Sequence, residues 1–100
     1  MIQLPPLAEF ERPDLIEWVA ATCVVIPHPL SSKLVQISDW CHKRMGEYRH
    51  GNILREAQEG HLDYFDGSWQ IIMNPFASPE ELCVWFADRN DQAAFIVTWL

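Results

Sequence analysis

The segment VWFADRNDQAAFIVTWL, residues 84–100, decides the fold of this protein because it contains both a candidate strand and a candidate helix. The apolar run LCVWFA, residues 82–87, has the length and the β-branched and aromatic content of a buried strand. Asn90 or Asp91 can then cap a helix in which Phe95 and Trp99 lie one turn apart. This division places the strand first and the helix at the end.

The opposite order also has support from local sequence rules. SPEE, residues 78–81, has the pattern of a helix-capping box with proline at the first helical position, and FIVTW, residues 95–99, is rich in strand-forming residues. We favour the strand at 82–87 and the helix at 90–100, because an aromatic strand followed by an acid-capped helix is also typical of ferredoxin-like βα units. The alternative is a ββαβ arrangement with a C-terminal strand.

A β-hairpin is predicted at Asp66 and Gly67, because both central positions of a two-residue type I′ turn require a positive φ. The flanking residues 61–65 and 68–73 alternate in polarity with the period of two that strands show. Together with the strand at 82–87 they predict an α+β fold. Its sheet is a three-stranded antiparallel meander with helices on one face.

Three helices and an extended lead-in precede the hairpin. Prolines predict an extended lead-in at residues 1–12, and Pro13 begins a helix that ends near residue 22. The β-branched residues at its end, TCVVI at residues 22–26, are also compatible with a short strand. Helical spacing of apolar residues predicts a helix from a serine cap at 31 or 32 to Gly46, and residues 52–60 predict a short one.

Composition indicates one domain and excludes several classes of function. The chain has 100 residues, 49% of them hydrophobic, which argues against disorder and fits a single domain over residues 1–100. A net charge of −7 disfavours general binding to nucleic acids or anionic membranes. The longest apolar run, AATCVVI, is too short to span a bilayer, and the N-terminus lacks the pattern of a secretory signal. The three cysteines cannot all form disulfide bonds within one chain. We therefore expect a cytoplasmic protein.

The segment at residues 42–55 is basic in an otherwise acidic chain. It has four basic residues and one acidic residue, Glu47. The basic residues are Lys43, Arg44, Arg49 and Arg55. This segment is either a solvated helix face and loop or a docking patch for an anion or a protein.

No arrangement typical of a metal site or a catalytic site stands out in the sequence. The cysteines and histidines lack the spacing that would place two ligands on one loop or helix face, so we expect no metal and no cofactor. A thiol nucleophile at Cys41 could be combined with His50, or with His61 and Asp63. Cys41 lies on the apolar stripe of its helix, however, where thiols are usually inert.

Several segments resemble small uncharacterised proteins of tailed bacteriophages. Such proteins end with an aromatic strand, an acidic turn and an Asp-Ala helix with Phe and Trp. Here the corresponding residues are VWFAD at 84–88, DQAAF at 91–95 and TW at 98–99. The helix ISDWCHKRMG at 37–46 also matches their Trp-Cys helix followed by glycine. The resemblance implies a phage-encoded protein acting in the host cytoplasm, and it implies no functional residues.

Surplus aromatic residues point to a protein-binding surface. A sheet covered by helices on one face would leave Phe65, Ile72 and Trp85 exposed on the other, and exposed aromatic patches are typical protein contacts. We therefore predict a non-enzymatic protein-binding module, a phage accessory protein that binds or inhibits a host protein such as a nucleic-acid defence enzyme. The alternatives are an assembly subunit that forms homo-oligomers and a small hydrolase that uses Cys41.

Overall fold

The computed structural model describes residues 2–60 and 67–100, which form four α-helices and three strands. In chain order these are α1 (Pro13–Ala21), β1 (Cys23–Val25), α2 (Leu34–Met45), α3 (Ile53–Glu59), β2 (Trp69–Asn74), β3 (Glu81–Phe86) and α4 (Arg89–Trp99). Short 3₁₀ turns lie at Leu7–Glu9 and Leu30–Lys33. None of the helices in these two ranges is long and apolar enough to cross a membrane.

The predicted α+β class with a three-stranded antiparallel sheet is confirmed. The strand order is β1-β3-β2, so β3 is the central strand and pairs along its length with β2. The predicted strand at 61–65 and the turn residue Asp66 lie outside the described residues. The third described strand is β1, the TCVVI segment that was also compatible with a helix end.

The favoured division of the C-terminal segment is confirmed. Residues 82–87 were predicted as a strand and form β3, and the closing helix is α4. The cap is Asp88 rather than the predicted Asn90 or Asp91, since its Oδ1 accepts a hydrogen bond from the N–H of Asn90 at 2.7 Å. SPEE forms no helix, because the apolar residues after it satisfy their backbone groups against two neighbouring strands.

Helices cover both faces of the sheet, which corrects the expectation that they cover one. On β3, Cys83 and Trp85 belong to the core formed with α1 and α3, and Val84 and Phe86 belong to the core formed with α2 and α4. The physical reason is the uninterrupted apolar run: a strand whose two rows of side chains are both apolar needs cover on both sides. The result is three layers, with helices above and below the sheet.

The remaining helices follow their local signals. The helix predicted at residues 13–22 is α1, and α2 ends at Gly46 as predicted, with φ +80°. The serines before α2 do not cap it, because a 3₁₀ turn precedes the helix and Ser32 Oγ donates instead to the Pro29 carbonyl at 2.8 Å. Asn52 caps α3 by accepting the N–H of Arg55 at 3.1 Å.

Candidate functional site

Among the described residues, β1 pairs with another strand on one side only. The N–H of Ile26 donates to the Leu82 carbonyl at 2.8 Å, and the Thr22 carbonyl accepts the N–H of Phe86 at 3.1 Å. These two bonds lie at either end of β1 and both point towards β3. Because hydrogen-bonded pairs alternate along an antiparallel ladder, every second residue of this stretch has its backbone groups directed away from β3.

The backbone N–H and carbonyl groups of Cys23 and Val25 face outwards at this edge. Each lies between the residues that bond to β3, so the outer edge presents two N–H donors and two carbonyl acceptors. No hydrogen bond to these four groups occurs within residues 2–60 and 67–100. A strand edge of this kind is a template for another strand.

The outer edge of β2, in contrast, is partly bonded by the chain itself. The Trp69 carbonyl accepts the N–H of Arg49 at 2.9 Å. The Ile71 carbonyl accepts the hydroxyl of Tyr48 at 3.1 Å, and the Met73 carbonyl accepts from an amide side chain at 3.3 Å. The segment before α3 therefore satisfies the outward carbonyls of β2, whereas the outward groups of β1 have no such bonds within residues 2–60 and 67–100.

An apolar groove runs along the open edge of β1. It has a volume of about 420 Å³ and lies between the end of α1 and the side of α4. Ala20 and Ala21 form one wall, and Gln92, Ile96 and Leu100 form the other. The Nε2 of Gln92 donates to the Ala21 carbonyl at 3.0 Å, which ties α4 to the end of α1. The groove is thus wide enough for apolar side chains and is flanked by fixed walls.

The rim of the groove on α4 continues as an exposed apolar stripe. Ile96 is 42% exposed, Val97 86% and Leu100 58%. Residues 92–100 contain no charged side chain, although the chain as a whole carries a net charge of −7. Exposed apolar residues that cluster beside an open strand edge are typical of a contact surface rather than of scattered surface residues.

The predicted aromatic patch is wrong as a binding surface. Trp85 is 1% exposed and Ile72 is 5% exposed, because α1 and α3 cover the sheet face on which both side chains lie. Phe65, the third residue of the patch, lies outside the described residues. The sheet face that was expected to be open is part of the core.

The predicted basic patch does not form one surface. Lys43 and Arg44 both line a cleft of about 560 Å³ between α2 and the Trp99 side of α4, but each pairs with a carboxylate. Lys43 Nζ lies 2.9 Å from an oxygen of Asp39, and Arg44 Nε lies 3.0 Å from an oxygen of Asp91. The cations of this cleft are therefore largely neutralised.

Arg49 is not available for docking, which corrects its place in that patch. It is buried, and its Nη2 lies 3.0 Å from an oxygen of Glu56 on α3. Burial and ion pairing give it a structural role near the β2 edge, where its backbone N–H also pairs with Trp69. Arg55 is exposed on α3, apart from the other three.

The cysteines lie in environments opposite to those of reactive thiols. Cys41 is fully buried, and burial raises the pKa of its thiol to about 12. Burial likewise raises the pKa of Cys83 to about 12 and raises the pKa of Cys23. A nucleophilic cysteine needs a lowered pKa and access to substrate, so Cys41 is not suited to the hydrolase alternative. In the described ranges no group of three or more histidine, cysteine or acidic side chains could hold a metal ion.

The β1 edge and the stripe on α4 were not identified as a site from the sequence. The signal that could have indicated the edge is TCVVI, whose β-branched residues favour a strand. Its position at the edge depends on pairing with β3, sixty residues away in the chain. Comparisons of the chain with protein-family models, curated proteins and solved structures find no match.

Proposed function

We propose that this protein is a non-enzymatic protein-interaction module that binds an extended segment of a protein along the outer edge of β1. The observation that carries the proposal is the set of four outward backbone groups on Cys23 and Val25. An added strand would satisfy these groups with regular ladder bonds, as in other complexes formed by strand addition. The added strand would meet Val25 first, because Val25 is partly exposed whereas Cys23 is only 6% exposed.

The groove beside the edge would supply specificity. In an added strand, alternate side chains point to opposite faces of the sheet, so every second one would face the α4 wall and the others the α1 wall. Ile96 and Leu100 would contact apolar side chains on one face, and Ala21 leaves room on the other. The segment bound should therefore be apolar at successive positions near its centre.

Several other features support a binding role over a catalytic one. The thiol at Cys41 is buried and protonated, and the cations beside Trp40 and Trp99 are paired with carboxylates. The groove at β1 is lined by aliphatic side chains and one amide, with no acid, base or nucleophile apart from the buried Cys23. That the bound protein belongs to a host defence system stays a prediction, which the resemblance to phage proteins motivates.

A proline substitution tests the edge directly. Val25→Pro removes one outward N–H donor, and proline is tolerated on an edge strand when its nitrogen faces away from the ladder. Val25→Ala is the matched control because it shortens the side chain but keeps the N–H. The probe is a library of random linear peptides of about ten residues, selected on wild-type protein immobilised at low density.

Selected peptides should bind wild-type protein and Val25→Ala with similar affinity. Binding to Val25→Pro, measured by fluorescence anisotropy, should be weaker by at least about tenfold. Circular dichroism must show that the proline variant is folded; if it is not, Leu100→Lys, which changes the exposed groove wall, replaces it. Failure to enrich any peptide, or equal binding to the altered and control proteins, would show that the edge is not the binding surface.

A further inference from the structure

We infer that the cleft between α2 and α4 is a second binding site, which takes a small aromatic carboxylate. The cleft has a volume of about 560 Å³, and no residue lines both it and the groove at β1, so this inference goes beyond the proposed function. Clefts of this size that combine aromatic walls with a few polar groups are typical of small-molecule sites. The lining consists of two indoles, two cations, one carboxylate and one amide: Trp40, Trp99, Lys43, Arg44, Asp39 and Gln36.

Two indole rings form fixed walls of the cleft. Trp40 lies on α2 and Trp99 on α4, and both are partly exposed. The fully buried ring of Phe95 has its centroid 5.9 Å from that of Trp40 and 6.4 Å from that of Trp99. Because the core holds both indoles in this way, a flat ring can pack against them without the cost of first ordering the walls.

Arg44 supplies hydrogen-bond donors for an anion. Its guanidinium carbon lies 5.8 Å from the ring centroid of Trp40, and its Nε pairs with an oxygen of Asp91 at 3.0 Å. These contacts fix the side chain but leave its two terminal nitrogens without a hydrogen bond to any part of residues 2–60 and 67–100. A guanidinium presents its donors as a planar fork that matches a carboxylate. A carboxylate bound to this fork would bring its attached ring next to Trp40.

The charge of the lining also favours an anion. The cleft is lined by two cations and one carboxylate, whereas the whole chain has 14 acidic residues against 7 lysines and arginines. Lys43 pairs with Asp39, but the two side chains are 75% and 59% exposed. Exposed ion pairs of this kind are weak because water screens them. The carboxylate of a ligand can therefore compete with Asp39 for Lys43.

The test uses cinnamate, a planar aromatic carboxylate, and two analogues that each lack one of its features. Cinnamamide has the ring without the charge, and hexanoate has the charge without the ring. Binding is followed in two-dimensional proton–nitrogen NMR spectra of the whole chain, in which amide and indole signals locate the ligand. Cinnamate should shift the indole signals of Trp40 and Trp99 in a saturable way, with a dissociation constant of about 1 mM or below. Each analogue should bind at least about fivefold more weakly.

Two exposed arginines provide the matched comparison. Arg44→Gln removes the guanidinium fork from the cleft, and Arg55→Gln makes the same change on α3, outside the cleft. Arg44→Gln should raise the dissociation constant of cinnamate at least about fivefold, and Arg55→Gln should leave it unchanged. Arg44→Gln also removes the ion pair with Asp91, so the same spectra must show that this variant is folded. If it is not, Lys43→Gln replaces it, with Lys33→Gln as the control.

Three results would overturn the inference. The first is the absence of saturable shifts up to about 10 mM cinnamate. The second is equal binding of cinnamate and either analogue, or equal effects of the cleft substitution and its control. The third is a set of shifts centred on Val25 and Ile96, which would place the ligand in the groove at β1. None of these results bears on strand binding at the β1 edge, because the cleft and the groove share no residue.

Discussion

Replacing Phe95 or Val97 by alanine tests whether the end of the chain is a helix. Phe95 is fully buried, and its ring centroid lies 5.3 Å from that of Phe86, 5.9 Å from that of Trp40 and 6.4 Å from that of Trp99. Phe95→Ala removes these contacts and leaves a cavity, so it should lower the free energy of unfolding by about 3–5 kcal/mol.

Val97→Ala should change the free energy of unfolding by less than about 0.5 kcal/mol, because its side chain is almost entirely in solvent. The difference between the two substitutions depends on the helix. Residues 95 and 97 point to nearly opposite sides of a helix but to the same face of a strand. In a closing strand, both substitutions would be costly.

The assay is urea denaturation followed by tryptophan fluorescence, at a concentration where sedimentation shows a monomer. A loss of several kcal/mol is a large part of the stability of a small domain, which is typically about 5–15 kcal/mol. Phe95→Leu, with a smaller expected loss, therefore serves if the alanine variant does not fold. Equal losses for Phe95→Ala and Val97→Ala would refute the assignment of α4 and, with it, the groove beside β1.

Three other predictions concern the interior. Gly67→Ala should lower the free energy of unfolding in urea by about 3 kcal/mol, and Gly46→Ala should lower it by about 1 kcal/mol. Both glycines have a positive φ, but only a Cβ at Gly67 would lie 2.5 Å from the backbone nitrogen of Arg49. Equal losses for the two variants would contradict this close approach. Trp99→Phe should leave the melting temperature unchanged or raise it, because the Trp99 Nε1 is buried with no hydrogen-bond partner in the described chain. A fall of several degrees in the melting temperature would contradict this expectation. The Cys41 thiol should react with a disulfide reagent at pH 8 only after unfolding. Above pH 9 the unfolded chain releases the Cys41 proton, which the folded chain keeps up to about pH 12. This thiol alone should therefore lower the free energy of unfolding by at most about 1.4 kcal/mol per pH unit, in addition to the effect of the other two buried thiols, and Cys41→Ala should reduce the total loss.

The elements of the fold were largely predictable because their signals are local. Proline at the start of α1, glycine at the end of α2 and the asparagine cap of α3 each act within a few residues. The order of strand and helix at the end of the chain was harder, since local rules supported both. The apolar run of β3 decided it, because six consecutive residues of this kind are most stable in the centre of a sheet.

The candidate site was not predictable in the same way. The exposure of Trp85 depends on which helices pack over the sheet, and that packing joins α1 and α3 to strands far away in the sequence. The uninterrupted run LCVWFA does contain a warning against an open face, because a strand with one exposed face alternates apolar and polar residues. The alternation of apolar and polar residues in β2 suggested that one face of the sheet is open to solvent. The central strand β3, which is apolar on both sides, instead requires helices on both faces.

The location of the proposed binding surface follows from this layering. A sheet whose two faces are buried under helices can contact another protein through its backbone only at its edges, and a three-stranded sheet has two. The edge of β2 is occupied by the preceding segment, which supplies hydrogen bonds to the carbonyls of Trp69, Ile71 and Met73. β1 is short, which limits its pairing strength, so the adjoining apolar stripe on α4 has to contribute much of the contact. An interface made of an edge strand alone would be weak, and an apolar stripe alone would not fix the direction of a bound segment. The adjacency of the two on one side of the molecule is the reason for proposing the β1 edge as the binding surface.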